Sequence, residues 1–152
     1  MVGIIKSLLA ERAGVIHGLG PQNSVAEAVA LMNRRNIGAV LVMTPEEDLL
    51  GVFTERDVLR RVLGAGLDPA ATPIETVMTR EGFWVGPLAP VDEALAIVSE
   101  RNVRHLPVMD GHRLLGMISV RDLTAAVVRD RDFKLAELTS YVHGSYGGHV
   151  GN

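Results

Sequence analysis

Two tetrapeptides hold the residue types best suited to chemistry: Thr54-Glu55-Arg56-Asp57 and Ser119-Val120-Arg121-Asp122. Each follows a short apolar run of strand length and opens a stretch of helical periodicity. A hydroxyl therefore stands at a helix start, where backbone N–H groups lack partners and the helix dipole favours an anion. That hydroxyl can donate to a phosphate oxygen. The guanidinium of Arg56 or Arg121 can neutralise phosphate through a planar fork. A carboxylate one turn on, from Asp57 or Asp122, can accept from both hydroxyls of a ribose. The set matches a ribonucleotide. The same hydroxyl and acid also make a variant capping box, which needs no ligand and no arginine.

The two tetrapeptides belong to a longer duplication. Residues 20–62 align with 86–127, at an offset of 66 up to the turn after one strand and 65 beyond it. Gly20/Gly86, Pro21/Pro87, Glu27/Glu93, Asn36/Asn102, Gly51/Gly116, Arg56/Arg121 and Asp57/Asp122 are identical pairs. Val25, Ala28, Val29 and Met32, like Val91, Ala94, Leu95 and Val98, recur at i, i+3, i+4 and i+7, which predicts one amphipathic helix per copy. Ser24 and Glu27 form a capping box for the first. Strand-length runs follow at 37–43 and 103–109, then second strands at 51–54 and 116–119. Weaker strands are expected at Val15–Leu19 and Phe83–Val85. The unit is β-α-β-β-α, an α/β (α+β) fold in which two copies pack sheet to sheet with pseudo-two-fold symmetry.

The remaining chain divides into an amphipathic helix within 1–14, a first repeat over 15–66, a linker over 67–82, a second repeat over 83–130, and a C-terminal helix with a frayed tail over 131–152. Ile4, Ile5, Leu8 and Leu9 form the apolar side of the first helix. Thr72-Pro73-Ile74-Glu75 reads as a capping box with proline at the first helical position. Phe133, Leu135, Leu138 and Val142 give the last helix an apolar face, and the ten residues after Val142 are expected to fray.

With G-V-F-T-E-R-D in one copy and G-M-I-S-V-R-D in the other, the chain resembles a tandem pair of CBS domains, a Bateman module, and in outline the small stand-alone bacterial proteins built from such a pair. Arg104-His105-Leu106-Pro107-Val108 and Val77-Met78-Thr79 strengthen the resemblance. It implies a non-catalytic regulatory module that binds adenosyl ligands (AMP, ADP, ATP, NAD(H) or S-adenosylmethionine) in two clefts between the repeats, and a homodimer. It also implies that Asp57 and Asp122 hold ribose and that Thr54 and Ser119 contact phosphate or ribose. Arg104 and His105 would reach phosphates, Pro107 on the same strand would belong to the ligand site, and Gly38 and Ala39, at the matching places of the first copy, would supply space and backbone. The rival expectation is a dimeric interaction scaffold with vestigial clefts, whose tail docks an unidentified protein.

Composition narrows the alternatives. The chain has 152 residues, 47% of them hydrophobic and 22% charged, which suits a folded core. The absence of cysteine removes disulfides, thiol catalysis and cysteine-bound metals. A net charge of −3 and 4% aromatic content argue against nucleic acid as a partner. Neither phosphate-loop pattern nor a G-x-S-x-G elbow is present, so no enzyme is expected. His17, His105, His112, His143 and His149 lack metal-binding spacing, and no metal is expected. No apolar run approaches membrane-spanning length, and a cytoplasmic protein is expected. Trp84 and Met32, Met43, Met109 and Met117 are expected in the core, with an adenine pocket or dimer contact as the alternative place for Trp84; Arg34, Arg35, Arg56, Arg60 and Arg61 are expected on helix faces, solvated or paired with nearby glutamates.

Overall fold

The computed structural model describes residues 3–11, 16–80 and 82–145, with 143–145 described by backbone alone. The first half contains strand β1 (Gly18–Leu19), helix α2 (Val25–Arg35), strands β2 (Ala39–Met43) and β3 (Leu49–Thr54), and the helical turn α3 (Glu55–Asp57). The helix then widens into a π-helical segment, Val58–Leu63. The second half contains α4 (Val91–Glu100), β4 (His105–Asp110), β5 (Arg113–Ser119) and α5 (Val120–Ser145). A helix α1 (Ile5–Glu11) precedes the first half.

Each half builds its own core. Val25, Ala28 and Met32 on α2 pack with Val40, Val42 and Phe53, and Val91, Ala94 and Val98 on α4 pack with Leu106, Val108 and Ile118. The helical periodicity in each copy is thus the buried face. The Ser24–Glu27 capping box forms in full. Asn36 and Asn102, with φ of 52° and 51°, end the two helices in the left-handed region that asparagine tolerates better than most residues.

β2 and β3 are antiparallel, Ala39 facing Thr54, and β1 lies parallel to β2. β4 and β5 are antiparallel, His105 facing Ser119. The strand expected at Phe83–Val85 reduces to a single bridge between Val85 and Val108. Val15, from the other expected strand, lies outside the described residues.

The flanking segments are exchanged between the halves. The linker turn docks on the first half: Ile74 N–H donates to Asn23 (2.9 Å), Glu75 N–H to Pro21 (3.2 Å), and Val25 N–H to Thr72 (2.9 Å). The start of the chain docks on the second half by the same bonds: Ile5 N–H to Ala89 (2.9 Å), Lys6 N–H to Pro87 (2.7 Å), and Val91 N–H to Gly3 (3.2 Å). Ile74, Val77 and Met78 complete the first core, and Ile5 and Leu8 complete the second. The N-terminal helix therefore belongs, in packing, to the second repeat.

Two local expectations are corrected. The turn at Ile74–Thr76 is a 3-10 turn with no side-chain cap. Its proline is extended (φ −65°, ψ 138°), Thr72 Oγ1 donates to Asp68 instead, and the Glu75 carboxylate accepts from Gln22 Nε2. At the other end, α5 runs unbroken across 130/131, and the backbone of 143–145 continues it. Only residues 146–152 of the expected frayed tail lie outside the description. No helix among the described residues is long and apolar enough to cross a membrane.

Candidate functional site

Thr54 and Ser119 end β3 and β5 and cap the helices that follow. Thr54 N–H donates to Asp57 Oδ2 at 3.0 Å and Asp57 N–H returns to Thr54 Oγ1 at 3.3 Å. Ser119 and Asp122 repeat the exchange at 2.7 and 3.2 Å. The capping alternative is therefore realised in both copies. Each hydroxyl also donates to its acid, at 3.2 Å for Thr54 and 2.8 Å for Ser119.

The first junction is more elaborate. Asp57 is 6% exposed, and its Oδ1 accepts from Thr79 Oγ1 at 3.2 Å and faces Arg61 Nε at 3.5 Å. Thr79 is fixed by paired backbone bonds with Val52, at 2.9 and 3.0 Å. Four donors thus surround one carboxylate, about the number of lone-pair sites it has. At the position matching Arg61, the second half carries Ala126.

This junction opens on a cavity of about 800 Å³. Leu50, Val52 and Thr54, on one face of β3, line it together with His105, Pro107 and Met109, on one face of β4. Their period of two puts the two sheets across the cavity from each other. Arg56 spans the halves, its Nη1 donating to the carbonyl of Asn102 at 2.8 Å. Gly38, Arg104 and Arg56 also line the cavity, so seven of the expected site residues converge there: Gly38, Thr54, Arg56, Asp57, Arg104, His105 and Pro107.

Ala39 does not join them. It is fully buried beside Thr54 in the β2–β3 ladder and offers no surface to a ligand. Ser119, Arg121 and Asp122 form the second junction and do not line this cavity.

Several lining residues were missed by sequence reasoning. Arg60, Arg61, Arg80, Phe83 and His112 all reach the cavity, and so does Trp84, for which a pocket was the alternative to the core. Trp84 is 57% exposed rather than a core residue, because its strand is only a bridge at Val85. Arg101 sits 4.8 Å over the Phe83 ring. Met32 is buried as expected, but Met43, Met109 and Met117 are half-buried and Met109 faces the cavity.

The CBS domain family model matches residues 16–64 and again 74–129. The chain belongs to the CBS-domain family. The CBS pair is 34% identical over 128 residues to the mitochondrial CBS domain-containing protein CBSX3 of Arabidopsis thaliana, covering 82% of this chain and 62% of that protein's length. A signal-transduction protein with CBS domains from Burkholderia ambifaria superposes with a TM-score of 0.77 at 36% identity, over 83% of this chain and 93% of that one. The CBS pair of protein MJ0100, crystallised with 5'-methylthioadenosine and S-adenosyl-L-methionine, shares the fold at a TM-score of 0.76 and 21% identity, over 86% of this chain and 99% of that one. A CBS pair is a regulatory module.

Proposed function

We propose that this CBS pair is a non-catalytic sensor that binds an adenosine nucleotide (AMP, ADP, ATP or NAD(H)) in the cavity between its repeats. The observation that carries the reading is convergence: a helix start with hydroxyl, acid and arginine from one repeat faces Arg104, His105 and an apolar wall from the other. The cavity falls within the roughly 300–1,000 Å³ typical of small-molecule sites. The MJ0100 pair, which has this fold and forms a complex with two adenosyl compounds, supports the reading. Ser119, Arg121 and Asp122 would form a second, weaker site, since Ala39 adds nothing there. A ligand bridging both repeats alters their arrangement only through its differential affinity for two states.

The test is a thermal-shift panel of AMP, ADP, ATP and NADH. At 100 times its dissociation constant, a ligand adds about 2.7 kcal/mol, which for this chain length raises Tm by about 5–10 °C. No shift across the panel overturns the reading.

A second reading, self-association, is favoured by one surface. Val128, Leu135, Leu138 and Val142 recur along α5 with heptad-like spacing and are each 54–63% exposed. We propose that α5 pairs with α5 of a second copy. Sedimentation should show a dimer that Leu135→Asp with Leu138→Asp converts to monomer; a monomeric wild type rejects this.

A further inference from the structure

The cavity's charge is opposite to that of the chain. Among the described residues, five arginines line it (Arg56, Arg60, Arg61, Arg80 and Arg104) against two carboxylates, Glu55 and Asp57, a surplus of +3 in a chain of −3. Three of the arginines are committed to protein acceptors. Arg56 donates to Asn102, Arg61 to the carbonyl of Met78 as well as facing Asp57, and Arg80 Nη2 to the carbonyl of Glu75. Arg60 and Arg104 have no acceptor among the described residues. One comes from the π-helical segment of the first repeat and the other from the residue before β4 in the second, so they approach from opposite repeats.

A phosphomonoester carries about −1.5 to −2 at neutral pH. It can satisfy one guanidinium fork fully, but a surplus of +3 with two uncommitted forks is matched by a chain of two or three phosphates. We infer that this cavity selects nucleoside di- and triphosphates over monophosphates, with Arg60 and Arg104 as the residues that read the distal phosphates. The inference rests on the nucleotide reading above and adds which ligands rank first and which side chains rank them. Both side chains are exposed, so replacing them leaves the two cores intact.

The experiment is calorimetric titration of the full chain with adenosine, AMP, ADP, ATP and inorganic tripolyphosphate at 0.1 M and 0.5 M salt. The expected order is ATP at least about tenfold tighter than AMP at the lower salt, with the gap narrowing at the higher. Arg60→Gln and Arg104→Gln should each weaken ATP about five- to tenfold while moving AMP less than about twofold. Equal affinity for AMP and ATP, unaltered by either substitution, overturns the inference and leaves the nucleotide reading intact. Tripolyphosphate binding as tightly as ATP overturns the nucleotide reading and keeps the two arginines as polyanion readers. No binding of any compound overturns both.

Discussion

Replacing Thr79 with valine tests how the first junction is held. The change keeps the side chain's shape and removes one hydroxyl that donates to a nearly buried carboxylate at 3.2 Å. A hydrogen bond to a charged group contributes about 1.5–3 kcal/mol. Here Thr79 is only half-buried and Asp57 keeps three other donors, so a loss of about 1–1.5 kcal/mol is expected. That lowers Tm of the unliganded protein by about 2–6 °C. If a ribose uses Asp57, it must displace a donor already in place, and Thr79 is the one not supplied by the helix itself. Thr79→Val then removes a competitor, and the nucleotide-induced shift should grow by about what the free protein lost. Melting temperatures of the liganded variant and wild type converge. An unchanged Tm in the free variant refutes the hydrogen-bond account, and a smaller ligand shift shows that Thr79 itself touches the nucleotide.

A Cβ on Gly51 would lie 2.6 Å from the Thr79 carbonyl, whereas one on Gly116 would meet only the end of Leu9 at 3.1 Å. Gly51→Ala should cost about 1–3 kcal/mol and Gly116→Ala under about 1, measured by urea unfolding. Glu27 has its pKa held below the usual 4.5 by the Asn23 side chain and then by the Ser24 amide. Its share of stability is present above the unfolded value and lost as pH falls through the lower folded one. Glu27→Gln should therefore flatten that part of a Tm series taken from pH 6 to 3. Ile5 is fully buried in the second core, so Ile5→Ala should cost about 2–5 kcal/mol and speed amide exchange in β4 and β5 before β2 and β3.

Much of this architecture was legible in the sequence. The duplication, the two amphipathic helices and the hydroxyl–acid junctions all leave periodic or paired signals, and the capping reading of Thr54–Asp57 stood beside the ligand reading from the start. The exchange of flanking segments was not legible. Residues 3–9 correspond to 72–78 at an offset of 69, outside the frame of 66 and 65 that relates the repeats, and Ile5/Ile74 is the one identity between them. Arg60 was expected on a solvated helix face, and its place in the cavity was hidden for another reason. Periodicity tells which face of a helix is polar, but not that a second domain stands opposite that face. Trp84 was placed in the core first, with a pocket only as the alternative, because its short apolar run predicts a strand, while only Val85 finds a partner.

The exchanged segments bear on how the polypeptide assembles as it is made. The ribosome delivers residues 3–9 well before their receptor at 87–126, whose first residues come out about eighty residues later. Translation at about 5–20 residues per second imposes a wait of several seconds at least. Until then Ile5 and Leu8 lack the core they complete, while the leading repeat can close on its own linker by residue 79. A change within residues 3–9 would thus disturb the trailing repeat, the one farther away along the chain.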